Sequence, residues 1–478
     1  MTVALGALIG WLGCTPAKAP GVGSSRDPLA QKWLDRAKAS YATADLDDAS
    51  DAAKSALQAA PNDVDVKIWA GRVALARLDY AETMRLLKGV ETTAARGLRG
   101  RAEWYSGDIE KAADELEAML QDPEVHDAWA KAIAGLARRG VGRKPFTLNG
   151  GMLAVSEMPR IPNSTSLLVP VEIDGDPGLA MVATGTAEVT LDSAHRKEPS
   201  WVSLRFGGKI EVRDVPAMVQ DLSGISRQMN VPIKALLGIN LLRHLNLTFD
   251  YIGGQFIVRN FPPPVPPSAT RIPLAYVKGG GMIMRSALSA DKSAVPASLL
   301  LDSSMAYPLA LDQDGWKKAG TPLTSLVALP QDSKLKQGLV PLLRLGAFDI
   351  PEVPAVYGTP INEIEKGIEV DLDGIVGSGL LAAFRVTLTD GGRAMWLEDV
   401  PRDNSAGVAA PPRGEAPPRA PAPGRPGEAA PRGPEGAGAA PAPAPAGPGP
   451  AAPPAGKAPP PKSSAPSKKA PEGPPIAQ

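Results

Sequence analysis

Two short stretches carry the side chains best suited to chemistry. "MVATGTAEVTL" (181–191) ends a strand-like run, turns at Thr184-Gly185 and resumes as a strand; "SLLLDSSMAYPLAL" (298–311) follows the same plan around Asp302-Ser303-Ser304. An aspartate held at such a turn is a candidate general acid or base, provided its pKa suits the proton it moves. In the first stretch the matching place is Ala183, which has nothing to titrate. Other ionisable groups fit simpler roles. Asp192 and Asp390 (in "TDGG") decorate turns, and Asp250 closes the strand "LNLTFD" as an exposed or capping carboxylate. His126, His195 and His244 lack metal-ligand spacing, and Ser303 has no histidine nearby in sequence to activate it. No phosphate-cradling loop or dinucleotide fingerprint follows a strand, so neither a metal nor a cofactor is expected. The glycosylation-like "NST" at Asn163 reads as coincidence.

The elements around these turns alternate apolar and polar residues and break at Gly, Asp and Pro, as in "SLLVPVEIDG" and "WVSLRFGGKIEVRDV", which is the pattern of half-buried strands. The pattern occurs twice. "KALLGINLLRHLNLTFDYIGGQFIV" from Lys234 matches "DGIVGSGLLAAFRVTLTDGGRAMWL" from Asp373 at an offset of 139, pairing Gly238 with Gly377 and Leu241-Leu242 with Leu380-Leu381. Upstream, Pro216 pairs with Pro354 and Ala183 with Asp302. "NFPPPVPPSA" (260–269) separates the copies, and its prolines suit an extended spacer.

This order of turn, hairpin, apolar-apolar-Gly motif (Leu236-Leu237-Gly238 and Ile375-Val376-Gly377), short helix and strand pair resembles the retropepsin-like aspartic proteases over residues 150–400. The resemblance implies two mostly-β lobes (150–260 and 270–400, joined by 261–269), each a closed barrel, paired about a pseudo-twofold axis. A peptide-holding cleft would lie between them, with hairpins at 199–217 and 338–356 as flaps. It also implies a catalytic pair of aspartates about 3 Å apart that share one proton. Here Asp302 is an unpaired candidate. Ala183-Thr184-Gly185 is a degenerate site, Ser303 keeps the hydroxyl that braces the opposite turn, and Ser304 replaces a glycine with a Cβ that threatens the close approach. Losing acid–base assistance costs about 10²- to 10⁴-fold in rate, so the expectation is a catalytically inactive fold that binds peptide or protein. The alternative is an active peptidase that brings two Asp302 residues together through homodimerisation.

Residues 30–142 switch to helical periodicity. "ADLDDASDAAKSAL", "ARLDYAETMRLLKG" and "SGDIEKAADELEAM" place Ala49, Ala81 and Ala112 at spacings of 32 and 31, with Pro61 and Pro123 beyond the first and third units. This resembles tetratricopeptide repeats, whose small residues let paired helices pack closely. Trp33 and Tyr41 suit the first helix, whereas Trp69 falls near a place that wants a small residue. The resemblance implies that the repeats offer a peptide- or protein-binding face.

The chain of 478 residues balances 51 basic against 51 acidic residues, so no overall field recruits nucleic acid. Cys14, the sole cysteine, ends "MTVALGALIGWLGC", a run that is too short to span a bilayer. This run resembles a bacterial lipoprotein signal (1–14) with Cys14 as the acylated residue, which would attach the protein to the cell envelope facing the periplasm or surface. Residues 15–29 read as a tether, and 401–478, rich in Pro and Ala and poor in large apolar residues, read as a disordered tail. The fold expected is therefore multidomain: an all-α repeat domain, two β lobes and a disordered tail.

Overall fold

The computed structural model describes residues 26–399 apart from 163, 279, 290–292, 294 and 331. Cys14, most of the tether, Asn163 and the tail at 401–478 lie outside the described residues. Residues 28–138 form seven helices: α1 (Pro28–Ala42), α2 (Leu46–Ala59), α3 (Val64–Ala76), α4 (Tyr80–Leu87), α5 (Thr93–Ser106), α6 (Ile109–Leu120) and α7 (Ala128–Arg138). Each begins at a side chain whose oxygen accepts a backbone N–H of the first turn: Asp27, Asp45, Asp63, Asp79, Thr92, Asp108 and Asp127. Such caps are worth about 1 kcal/mol each. The helices stack as three antiparallel pairs, with α7 closing on α6.

These caps fix a register that differs from the alanine spacing. Ala49, Thr83 and Ala112 each stand four residues past a capping aspartate and are fully buried, while Ala81 is exposed. The equivalent spacings are thus 34 and 29, and Thr83 donates its hydroxyl to Asp79 O at 2.9 Å inside its own helix. The facing small positions are Ala37, Gly71 and Gly100. A Cβ on Gly71 would lie 2.9 Å from Leu87 Cγ, and one on Gly100 2.6 Å from Leu116 Cδ2. Trp69 stands two residues before this small position, half-buried and edge-on to Tyr41 at 5.8 Å.

The first β lobe comprises β1 (Thr147–Gly150), β2 (Leu153–Glu157), β3 (Leu168–Ile173), β4 (Asp176–Val182), β5 (Val189–Asp192), β6 (Ser200–Phe206) and β7 (Ile210–Gln220). It continues through α8 (Ser223–Met229), β8 (Ile233–Leu237), α9 (Ile239–Leu242), β9 (Thr248–Asp250) and β10 (Gln255–Arg259). The second comprises β11 (Ala269–Pro273), β12 (Ala275–Tyr276), β13 (Met282–Ser289), β14 (Val295–Asp302), β15 (Leu309–Leu311), α10 (Gln313–Lys318) and β16 (Val327–Leu329). It ends with β17 (Asp332–Leu345), β18 (Phe348–Tyr357), α11 (Ile361–Ile368), β19 (Gly374–Gly377), α12 (Ser378–Leu381), β20 (Arg385–Thr389) and β21 (Ala394–Glu398). In the first lobe the order β7-β5-β8-β4-β3-β6 closes through β6–β7, and in the second β13-β14-β19-β15-β18-β17 closes through β13–β17. Each lobe is therefore a closed six-stranded barrel, which leaves its central strands no free edge.

The lobes share a third sheet, β11-β21-β20-β9-β10-β2. At its centre Thr248 pairs with Thr387, their hydroxyls 2.8 Å apart. These two residues are equivalent under the 139-residue offset, so the pseudo-twofold axis passes between them. The same sheet corrects the flap assignment. The β6–β7 tip packs on its edge strand β2, where a Cβ on Gly207 would meet Val155 O at 2.8 Å; the β17–β18 tip packs on the other edge, where Ala347 N donates to Thr270 Oγ1 at 2.9 Å. Both hairpins buttress the shared sheet, the first through close packing of Gly207 on Val155 and the second through the bond to Thr270.

The helices and lobes also share core. Tyr41, Leu46 and Val73 join Val277, Ile283 and Leu300 in one buried apolar cluster. Ser298 Oγ donates to Thr43 O at 2.7 Å, and Trp201 Nε1 donates to Leu136 O at 3.0 Å.

Candidate functional site at the lobe junction

Each turn leaves the end of a strand held by a parallel neighbour. β4 runs beside β8, pairing Val182 with Leu237, and Ala183 N donates to Leu237 O at 3.1 Å. β14 runs beside β19 and pairs Asp302 with Gly377. The glycine of each apolar-apolar-Gly motif sits where no side chain fits. A Cβ on Gly238 would lie 2.2 Å from Glu188 O, and one on Gly377 2.2 Å from Tyr307 O. The motif is thus the lock that seats the turn.

The two turns meet through a reciprocal set of buried hydrogen bonds. Thr184 N donates to Ser303 Oγ (3.2 Å) and Ser303 N donates to Thr184 Oγ1 (2.9 Å). Each hydroxyl then donates across the junction, Thr184 to Leu301 O (2.9 Å) and Ser303 to Val182 O (2.8 Å). The structure thus brings Ala183, Thr184, Gly185, Asp302 and Ser303 together at the pseudo-twofold junction within one chain. The Asp302 carboxyl lies directly against Gly185, where a Cβ would sit 2.6 Å from its Cγ. Asp302 Oδ1 accepts from Ser304 N at 2.9 Å and Ser304 Oγ at 2.6 Å. Ser304 therefore fits the turn as a donor, and its Cβ does not prevent the lobes from pairing.

Among the described residues no second carboxylate bonds to Asp302. The opposite place, Ala183, is 1 % exposed within an apolar cluster of Leu168, Met181, Leu222, Ile233 and Leu236. A lone partly exposed carboxylate can accept hydrogen bonds from a ligand. The two-acid mechanism also needs a proton donor for the substrate carbonyl, and its ordinary place is filled with hydrocarbon.

The remaining sequence candidates lie elsewhere. Asp192 accepts from Leu222 N at 3.1 Å in a turn. Asp250 caps the turn after its strand, accepting from Gly253 N at 2.8 Å, but it is 5 % exposed rather than at the surface and forms a 2.7 Å ion pair with Arg385 across the shared sheet. Asp390 lies 3.6 Å from Arg271. His244 stacks on Phe146 at 4.5 Å, and no cluster able to hold a metal occurs among the described residues.

Sequence reasoning missed Glu188 and Arg243. The Glu188 carboxyl is buried and accepts from Trp104 Nε1 (3.1 Å) of α5 and Asn240 Nδ2 (2.9 Å) of α9; burial pushes its pKa up, against these hydrogen bonds. Arg243 donates to the Tyr80 hydroxyl and, at 2.9 Å, to Tyr105 O, both on helices of the repeat domain. An acid within the otherwise apolar run "AEVTL" was the available signal for Glu188.

No protein-family model and no curated protein matches the chain. Among solved structures, a retropepsin-like aspartic protease from Rickettsia conorii is similar at 15 % identity, over 27 % of this chain and 90 % of that one, with a TM-score of 0.21. The first TPR domain of human RPAP3 is similar at 15 % identity, over 23 % of this chain and 91 % of that one (TM-score 0.22). The Arabidopsis OM64 TPR domain is similar at 13 % identity, over 24 % and 97 % (TM-score 0.22).

Proposed function

We propose that the paired lobes bind a peptide or protein segment without hydrolysing it, and that acylation of Cys14 anchors the protein to a bacterial envelope membrane. The observation that carries the binding reading is the unequal junction: Asp302 rests on Gly185, while the place of a second acid belongs to a buried apolar cluster around Ala183. Purified protein incubated with a peptide library between pH 3 and 6 is expected to yield no cleavage products by mass spectrometry. Cleavage that disappears in Asp302→Asn would sink the reading.

A peptidase assembled from two second lobes would place two Asp302 residues together, but it must first give up the Thr184–Ser303 bonds and the Thr248–Thr387 pairing that each chain makes internally. Its signature would be activity rising with the square of dilute protein concentration. Anchoring is tested separately, by metabolic labelling with an alkyne fatty acid in a bacterial host. Label is expected on the wild type and absent from Cys14→Ser. Several acyl chains, at about 0.8 kcal/mol per buried methylene, would make the attachment firm.

A further inference from the structure

A chamber of about 710 Å3 lies between the helical repeats and the lobes, and Asp302 is not part of its wall. The wall carries four cations, Arg72, Arg101, Arg243 and Lys278, against two carboxylates, Asp127 and Glu369. Glu369 pairs with both Arg72 and Lys278, and Asp127 holds Arg101 at 2.9 Å. Arg243 is left over. It is 6 % exposed, makes no ion pair among the described residues, and bonds to a hydroxyl and a carbonyl oxygen. Buried Glu188 acts on it electrostatically without pairing directly, and a buried guanidinium with no bonded counter-charge is unfavourable.

The same wall holds donors with nothing to donate to. Arg243 Nε, Arg101 Nη1, Trp129 Nε1 and the Tyr105 hydroxyl are all buried and unpartnered, and so is one acceptor outside the wall, Glu188 Oε2. Arg101 is 8 % exposed and is held over the Trp129 ring at 3.9 Å, so its plane is fixed. Buried donors normally find acceptors, and four unmet donors lining one chamber, against the single unmet acceptor of neighbouring Glu188, describe an absent acceptor. Four cations against the two wall carboxylates and the neighbouring Glu188 leave at least one positive charge for an anion to meet, and donors of this kind match the two oxygens of a carboxylate. The wall also offers apolar Leu75, Leu98 and Met119, alongside polar Thr93, His126 and Asn240. The volume falls in the range of small-molecule pockets, about 300–1,000 Å3.

We propose that this chamber binds a small organic acid, its carboxylate received by Arg243, Arg101 and Tyr105 and its apolar body lodged against Leu75, Leu98 and Met119. The site is independent of the lobe junction, so it stands whether or not the junction binds peptide. The test is isothermal titration calorimetry on the full chain with octanoate and 4-phenylbutyrate, their methyl esters as uncharged controls, and a hexapeptide with a free or amidated carboxyl terminus. Saturable binding of a free acid and none of its ester is expected. Tyr105→Phe, which removes an unpartnered hydroxyl and leaves the ring, is expected to weaken binding about tenfold. Leu98→Trp, which fills the chamber, is expected to abolish it, with circular dichroism checking that both variants fold. Equal binding of acid and ester, binding unmoved by both variants, or no heat from any probe would overturn the proposal. Binding of the free-carboxyl peptide alone would overturn its small-molecule assignment.

Discussion

At the junction, the contact between Gly185 and Asp302 decides what each residue can become. Gly185→Ala would drive a methyl group to 2.6 Å from Asp302 Cγ, and overpacking of this kind costs about 1–3 kcal/mol. The loss is expected as a lower urea midpoint, partly restored in Gly185→Ala/Asp302→Ala, because the second change removes the clashing carboxyl. Glu188 makes a pH prediction. Burial raises its folded pKa above the unfolded value, so unfolded chains release this proton first as pH rises. Its contribution therefore favours folding least above the ordinary carboxylate range and does no harm below it. Glu188→Gln should gain stability relative to wild type between pH 4.5 and pH 7.5 in parallel urea titrations. An unchanged difference would show that the group titrates normally.

At the level of elements, the helix pairs depend on glycines where Leu87 and Leu116 press against the facing helix. Gly100→Ala improves helix propensity by about 1 kcal/mol, yet its Cβ would lie 2.6 Å from Leu116. Net destabilisation is expected, and the thermal midpoint should recover when Leu116→Ala is added. The repeats were legible because apolar periodicity survives in the sequence. Their register was not read correctly from small residues: Ala81 offered the signal, while the buried position belongs to Thr83. The capping aspartates at 45, 79 and 108 carry the register, because a cap fixes where a helix begins. The β turns were legible for a similar reason, since the glycines at 238 and 377 leave a motif wherever a backbone must pass within van der Waals contact. The hairpins at 200–220 and 332–357 were legible as hairpins, but an alternating pattern does not say what a hairpin tip will touch.

Across the whole molecule, the least legible features join distant residues. Trp104 to Glu188, Tyr80 to Arg243 and Thr43 to Ser298 span the helical and β parts, and periodicity has no access to contacts between separately patterned regions. Their consequence is cooperative. With Tyr41 and Leu46 in the same buried cluster as Ile283 and Leu300, the helices and the lobes should unfold together. Far-ultraviolet circular dichroism, dominated by helix, and the fluorine resonance of 5-fluorotryptophan at Trp316, fully buried in the second lobe, should report one midpoint. Fluorine labelling keeps Trp104 and Trp201, whose side chains donate between the helices and the lobes. Two separated midpoints would mean that the interface is weaker than its packing suggests.

The pairing of Thr248 with Thr387 on the dyad bears on how far the two halves can diverge. In an assembly of identical subunits, every substitution at the junction is made twice and must tolerate its own image. Covalent fusion lifts that constraint. One turn can carry Ala183 with Gly185 while its counterpart carries Asp302 with Ser304, so that a residue enlarged on one side stands across from one reduced on the other. Such a joint can specialise each half for a different contact, an option closed to a self-complementary dimer.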